Sequence, residues 1–380
     1  MKILFVSMQS IHDVRWIENL KDTEHELYWF DVMGRGTFKT SMKIKQFTDW
    51  KKRKIPYVKG EFFLKRKFPK FYQKIQPYLE VTANEELERI ILEIQPNLVH
   101  SFEMHSCSYP ILETMQKYSN LNWLYSCWGS DLYKYKEISH YLPKIKSMLS
   151  RIDFLHTDCV RDYEIAKELG FKGVHSGVLP GGGGFKLDLF QDYFLPFDTR
   201  KIILVKGYQH HVGRGLQIVK ALEQLPNLFP QYQVVVFGAH GEVQQYVKLK
   251  KLPYKCYDRH GLSHEEIIRL MGSSIIYIGN SISDGMPNTL LEAIIMGAFP
   301  IQSNPGGVTA EIIKNNENGL LINNPESVKE IKELLEGLME KPEVLEKALF
   351  YNQKKLKPLF EYNNIRQKIV TLYQKIEKKI

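Results

Sequence analysis

Cysteine is scarce in this 380-residue chain. The four present, Cys107, Cys127, Cys159 and Cys256, form no Cys-x-x-Cys pair. That spacing offers neither a disulfide framework nor a zinc site, and it fits a reducing, cytoplasmic setting. Long apolar runs are also missing: none reaches the roughly 18 residues that a membrane-spanning helix needs. The N-terminal stretch Ile3 to Ser7 is shorter than the roughly 7 to 15 residues of a signal-peptide core, and no small-residue cleavage site follows it. It reads as a buried first strand. Asp-x-Asp occurs nowhere, so that metal-holding pair of acids is excluded and no metal is expected. The absence of a Gly-x-x-x-x-Gly-Lys-Ser/Thr loop argues against phosphoryl transfer of that type. No repeat of 20 to 50 residues is present, which sets aside solenoids and propellers.

What remains is an ordinary globular composition, 43% hydrophobic and 25% charged, over a length that suggests two domains. The net charge of +9 is unevenly placed. Between Lys39 and Lys74 thirteen Lys or Arg face two acids, Asp49 and Glu61, a local +11 that leaves −2 for everything else. Basicity is a property of one segment.

Short apolar runs alternate with helical spacing along most of the chain. Strands are expected at Ile3–Ser7, Leu27–Val32, Leu98–Phe102, Trp123–Cys127 and Phe154–Thr157, with helices over Glu85–Gln95 and Val160–Leu169. The rhythm restarts at Lys201–Val205 and continues through strands Gln233–Phe237, Ile275–Gly279 and Phe299–Gln302. Helices near Leu216–Leu225, His264–Met271 and Thr289–Met296 alternate with these strands. Alternation of this kind predicts an α/β fold of two doubly wound, parallel-sheet, Rossmann-like domains, residues 1–180 and 185–360. The break falls at Pro180-Gly181-Gly182-Gly183-Gly184, read either as a flexible hinge or as backbone passing close to a ligand. A final helix spans 364–380, with Ile365, Ile369, Leu372 and Ile376 on one face.

The most informative stretch runs from Asn280 to Gly307, NSISDGMPNTLLEAIIMGAFPIQSNPGG. A strand ends, a polar loop turns, and Pro287-Asn288-Thr289 opens a helix that Gly297 closes. The uncapped N–H groups from Asn288 to Leu291 would favour an anion, phosphate above all. Asp284 and Glu292 flank that helix end. Two carboxylates there would repel phosphate unless they address something else, and sugar hydroxyls are good donors to them. A simple charge complement to the helix dipole accounts for one acid but not for the loop around them.

These residues resemble glycosyltransferase family 4, retaining enzymes of the GT-B fold. The family pairs an acid with a Glu eight positions on, followed by Ala and a Gly-x-Pro strand. Here these are Asp284, Glu292, Ala293 and Gly297-Ala298-Phe299-Pro300-Ile301. The resemblance implies two domains facing a cleft, with the last helix returning to the first. It places Asp284 on the transferred sugar, Glu292 on the nucleotide ribose, and the backbone of Asn288, Thr289 and Leu290 on the diphosphate. Asp replaces the family's first Glu. In Val205-Lys206-Gly207-Tyr208-Gln209-His210-His211-Val212-Gly213-Arg214-Gly215, Arg214 aligns with a phosphate-binding Lys and Tyr208 replaces an Arg, with Lys206 placed to compensate. Gly207, in the same glycine turn, is expected among the donor-binding residues. His105 could take the place of a family histidine where this chain has Phe102, or be a satisfied loop histidine. Trp128-Gly129-Ser130-Asp131 matches a turn of mainly structural use. Gly261 and Leu262 lie in a turn that resembles the family's base-binding turn, and Ser263 with Glu266 would cap the next helix.

The resemblance implies a metal-independent transferase with no cofactor. Its substrates would be a nucleotide-diphosphate sugar and a glycan or lipid-linked acceptor, as in envelope polysaccharide synthesis. A nucleotide-sugar 2-epimerase and a catalytically silent binding subunit are the alternatives. The basic segment 39–74 interleaves cations with Phe38, Phe47, Trp50, Phe62, Phe63, Phe68, Phe71 and Tyr72. It reads either as peripheral contact with an anionic membrane, at its inner face, or as a solvated hairpin packed on the first sheet. No recognition module supports nucleic acid.

Overall fold

The computed structural model describes residues 1–228 and 231–380. By contact the chain divides into two units. One comprises residues 1–157, 163–182 and 369–380, the other 158–162 and 183–368. The break between 182 and 183 lies inside the glycine run, which is largely buried rather than solvated. A Cβ on Gly184 would fall 2.8 Å from that of Ile365, so this backbone is packed against the final helix.

The first unit holds seven strands: β1 Lys2–Ser7, β2 Glu26–Asp31, β3 Ile44–Phe47, β4 Leu98–Phe102, β5 Asn122–Cys127, β6 Phe154–Thr157 and β7 Val174–Val178. All are parallel, in the order β3-β2-β1-β4-β5-β6-β7. A parallel sheet is covered on both faces, so its central strands are continuous apolar runs. Every residue of β4 is buried, including His100 and Ser101. These polar groups survive burial because each is paired. His100 Nδ1 lies 2.7 Å from the Tyr373 hydroxyl and its Nε2 lies 2.7 Å from Ser126 Oγ. Trp16 donates its indole N–H to Tyr373 (3.0 Å), and Trp123 donates to Ser101 (2.8 Å). Burial drives His100 well below the usual histidine range, so the ring is neutral. The final helix, Tyr362–Glu377, is thus stitched to the first sheet through one phenol. Tyr373→Phe should cost about 1–3 kcal/mol, because it strands the Trp16 N–H and one His100 nitrogen. Urea unfolding of the full chain measures this.

Among its described residues the second unit holds six parallel strands in the order β10-β9-β8-β11-β12-β13. They are β8 Ile202–Lys206, β9 Gln233–Ala239, β10 Lys255–Asp258, β11 Ser274–Gly279, β12 Phe299–Ser303 and β13 Leu320–Ile322. Separate apolar clusters cover it, one built on Ile203, Val205 and Ile276, the other on Leu204, Tyr277 and Leu291. Alternate residues of β8 and β11 feed each cluster, as the period of two requires. Among the described residues no helix is long and apolar enough to cross a membrane.

Candidate active site

In a doubly wound sheet, ligands bind beyond the carboxyl ends of the strands, where neighbouring strands send their connections to opposite faces. In the second unit that point lies between β8 and β11. Lys206 is the last residue of β8, and the loop carrying Asp284 leaves the end of β11. The helix Asn288–Ile295 follows, with no side-chain cap on its N-terminus.

Here the structure brings several expected residues together. Lys206 Nζ donates to Thr289 Oγ1 at 3.2 Å, and the buried Tyr277 hydroxyl donates to the same oxygen at 3.0 Å. A hydroxyl that accepts twice keeps its own O–H to donate. A lysine, a threonine hydroxyl and a helix N-terminus therefore converge on one point, the donor set an anion requires. Burial pushes the Asp284 carboxyl above its usual range, with the charge of Lys206 the largest influence opposing this. Asp284 Oδ1 accepts the Gly285 N–H at 3.0 Å. Glu292 is buried and lies 2.7 Å from His264 Nε2. His264 opens a helix capped by Ser263 and Glu266 in a reciprocal box.

Three expected assignments need correction. The N–H groups of Leu290 and Leu291 both go to the Pro287 carbonyl (3.0 and 3.2 Å). The tight first turn uses them, so the helix mouth is built from Asn288 and Thr289, and the Leu290 side chain lies in the core. Gly207 donates its N–H to Phe237 (2.8 Å), so that donor is spent on the sheet. The reason for glycine there is close packing: a Cβ would lie 2.7 Å from Val236 and 2.8 Å from Ala239 Cα. Arg214 does not join Lys206. Its guanidinium pairs with Glu326 and donates to the carbonyls of His210 (3.0 Å) and Gly213 (2.8 Å), so it braces its own loop. In the first unit, His105 packs its ring on Tyr135 at 3.7 Å between centroids, with Tyr109 and Tyr141 beside it. Its Nε2 lies 3.2 Å from the Asp131 carbonyl oxygen. Its Nδ1 is buried without a partner.

Gly261 and Leu262 form the expected turn, in which Gly261 donates to the Asp258 carbonyl at 3.3 Å. Asp131 lies in the first turn of a short helix, Ser130–Tyr133, whose N-cap is Gly129. Its carboxylate gathers the N–H groups of Met104 and Trp128 and the Tyr125 hydroxyl, tying the ends of β4 and β5.

Other residues at these strand ends escaped the sequence reading. The Lys206 ammonium lies 4.8 Å from the Tyr208 ring centre, and the Arg259 guanidinium 5.9 Å from it. His210 and His240 pack on the same ring. His210 is pushed down to about 4, first by burial and then by His211, His240, Lys206 and Arg259. In the first unit, Asp13 is buried, and burial raises its pKa strongly against the opposing influence of the Ser10 and Ser7 hydroxyls. It follows β1, at the corresponding switch between β1 and β4. The sequence signal was an acid on the buried face of the helix Ile11–Glu18, in step with Trp16 and Ile17.

Among the described residues one acid and thiol group is close enough to share an ion, Asp158, Cys159 and Asp162. Asp162 is paired with Arg161 at 2.8 Å, which supplies positive charge there.

Residues 2–158 match the family profile described as glycosyl transferase 4-like, and residues 189–355 match that of the glycosyl transferases group 1. No curated protein matches the sequence. Solved structures match end to end. Sucrose-phosphate synthase from Thermosynechococcus elongatus gives a TM-score of 0.73 at 15% identity, covering 100% of both chains. A glycosyltransferase from Rickettsia africae gives 0.70 at 16%, covering 100% of this chain and 99% of that one. HepE of Anabaena, solved in complex with UDP and glucose, gives 0.68 at 16%, covering 99% of this chain and 100% of that one. At such identities the likeness speaks for the fold alone. With a glycosyltransferase profile on each half, the chain belongs to the GT-B glycosyltransferases of the family 4-like kind.

Proposed function

We propose that the protein is a retaining, metal-independent hexosyltransferase. It would take its sugar from a nucleotide-diphosphate donor bound at the ends of β8 and β11. The observation that carries this reading is the meeting of Lys206 with Thr289 at an uncapped helix mouth, with Asp284 and Glu292 on the same loop and helix. The diphosphate lies on Thr289 and Lys206, with Arg259 adding charge. Asp284 accepts hydrogen bonds from the transferred sugar. Glu292, steadied by His264, accepts from the ribose hydroxyls.

As the donor bond breaks, negative charge grows on the departing phosphate, where a fixed cation is worth most. That phosphate can then take the proton of the acceptor hydroxyl on the same face, so no protein nucleophile is required and configuration is kept. The acceptor is a glycan or a lipid-linked saccharide of the cell envelope. The protein works in the cytoplasm.

The test is a thermal-shift screen of UDP-, GDP-, ADP- and CMP-sugars. One donor at a hundredfold excess over its Kd should add roughly 2.7 kcal/mol of apparent stability, and the UDP bound by HepE makes UDP-sugars the first choice. Stabilisation by one class of UDP-, GDP- or ADP-sugar, with release of the nucleoside diphosphate, supports the reading, whereas a response to CMP-sugars alone contradicts it. No shift with any donor overturns it.

A further inference from the structure

The donor site makes no use of residues 50–80, where the packing is inside out. A helix Glu61–Lys67 is followed directly by a second, Pro69–Leu79. The buried residue of the first is Glu61 and that of the second is Tyr72. Arg53 grips both oxygens of Glu61, at 2.6 and 2.7 Å, and reaches Glu80 at 3.2 Å. The Tyr72 hydroxyl donates to Glu61 at 2.8 Å. Arg53 holds the Glu61 carboxyl down to about 2, so it stays ionised. Trp50, buried, fixes the base of the pair through its indole N–H on the Asp31 carbonyl, at 2.6 Å.

With polar groups inside, the aromatics are outside. Phe62, Phe63, Phe68 and Phe71 are 68%, 61%, 57% and 55% exposed. Single exposed apolar residues are commonplace, but a cluster marks an interaction surface. Lys59, Lys65, Arg66, Lys67, Lys70 and Lys74 are exposed among them. Glu61 is the only acid between 50 and 79, and it is buried against Arg53, which leaves the half-buried Glu80 at the end of the pair as the acid facing Lys65. Rings that seek the headgroup level and a surplus of cations on one short helical pair are complementary to an anionic bilayer surface.

We propose that this helical pair docks the protein on an anionic lipid surface, with the four phenylalanines entering the headgroup region and the cations on lipid phosphates. The docking goes beyond the donor reading and does not depend on it. It is measured without any nucleotide, so its failure would leave donor binding untouched.

The experiment is co-sedimentation of the full chain with phosphatidylglycerol and phosphatidylcholine vesicles at low and high salt. Binding to phosphatidylglycerol alone, released by salt, is expected. Combining Phe62→Ala, Phe63→Ala, Phe68→Ala and Phe71→Ala should weaken partition by more than about 100-fold. Lys67→Ala with Lys70→Ala should weaken it about 25-fold, the factor that roughly 1 kcal/mol per cation represents. All six positions are exposed, so circular dichroism should be unchanged. The proposal falls if phosphatidylglycerol vesicles are ignored at low salt, if phosphatidylcholine binds equally, or if the phenylalanine variant binds undiminished. It falls equally if vesicles are ignored while the patch pairs two copies, seen as a dimer lost in that variant, or retains nucleic acid in a gel shift.

Discussion

Lys206→Ala should reduce donor turnover by about 10²- to 10³-fold without unfolding the protein. The ammonium sits at a strand end, partly exposed, and its one hydrogen bond goes to Thr289, so little stability rests on it. A preorganised donor aimed at developing charge is worth about that factor in rate. The pH profile supplies a second readout. Asp284 must be ionised to accept from sugar hydroxyls, and its pKa is already raised by burial, so activity is lost as pH falls through that value. Lys206 opposes the rise. Removing it raises the Asp284 pKa further, and the acid limb of kcat/KM should move to higher pH. Lys206→Ala with unchanged kcat and an unmoved acid limb would place the lysine outside the reaction.

The second large effect is at Asp284. Its alanine variant should lose a comparable 10²- to 10³-fold in nucleotide release, because a charged acceptor for hydroxyls that move during bond cleavage disappears. Asp284→Glu distinguishes position from charge. It restores the family's residue and lengthens the side chain by one methylene, so it should keep activity and change the preference among sugars of one nucleotide. Steady-state release assays with paired donors measure both. If Asp284→Ala turns over like wild type, the carboxylate is only a loop residue, held by the Gly285 N–H.

How far the chain could be read beforehand follows from where each piece lies. The strands named from apolar runs are the interior strands of both sheets, buried on two faces. The four passed over, β3, β7, β10 and β13, are the four sheet edges. Their sequences, Ile-Lys-Gln-Phe and Lys-Cys-Tyr-Asp among them, mix polar residues because one flank meets solvent, and β13 is only three residues long. The site divides in the same way. Asp284, Thr289 and Glu292 lie in one contiguous loop and helix, so the proposed donor chemistry is legible in their spacing. Arg259, His264 and His240 arrive from other strand ends, and nothing local marks them. The partner of Arg214, Glu326, is 112 residues away. No spacing rule could have foretold that this guanidinium would be occupied.

The junction between β8 and the helix Gly215–Glu223 also limits how this enzyme can be changed. A Cβ at Gly215 would stand 2.8 Å from the Gly207 carbonyl carbon and 2.9 Å from the Lys206 oxygen. Gly207 is closed off in the same way by β9. Mutational drift or engineering that seeks a different donor therefore has no room on this hinge of main chain. The bend from Tyr208 to Val212 is itself braced by its side chains, since His210 Nδ1 accepts the Val212 and Gly213 N–H groups and Gln209 Oε1 accepts that of Leu216; under the proposed donor reading, changes there have to spare these two residues.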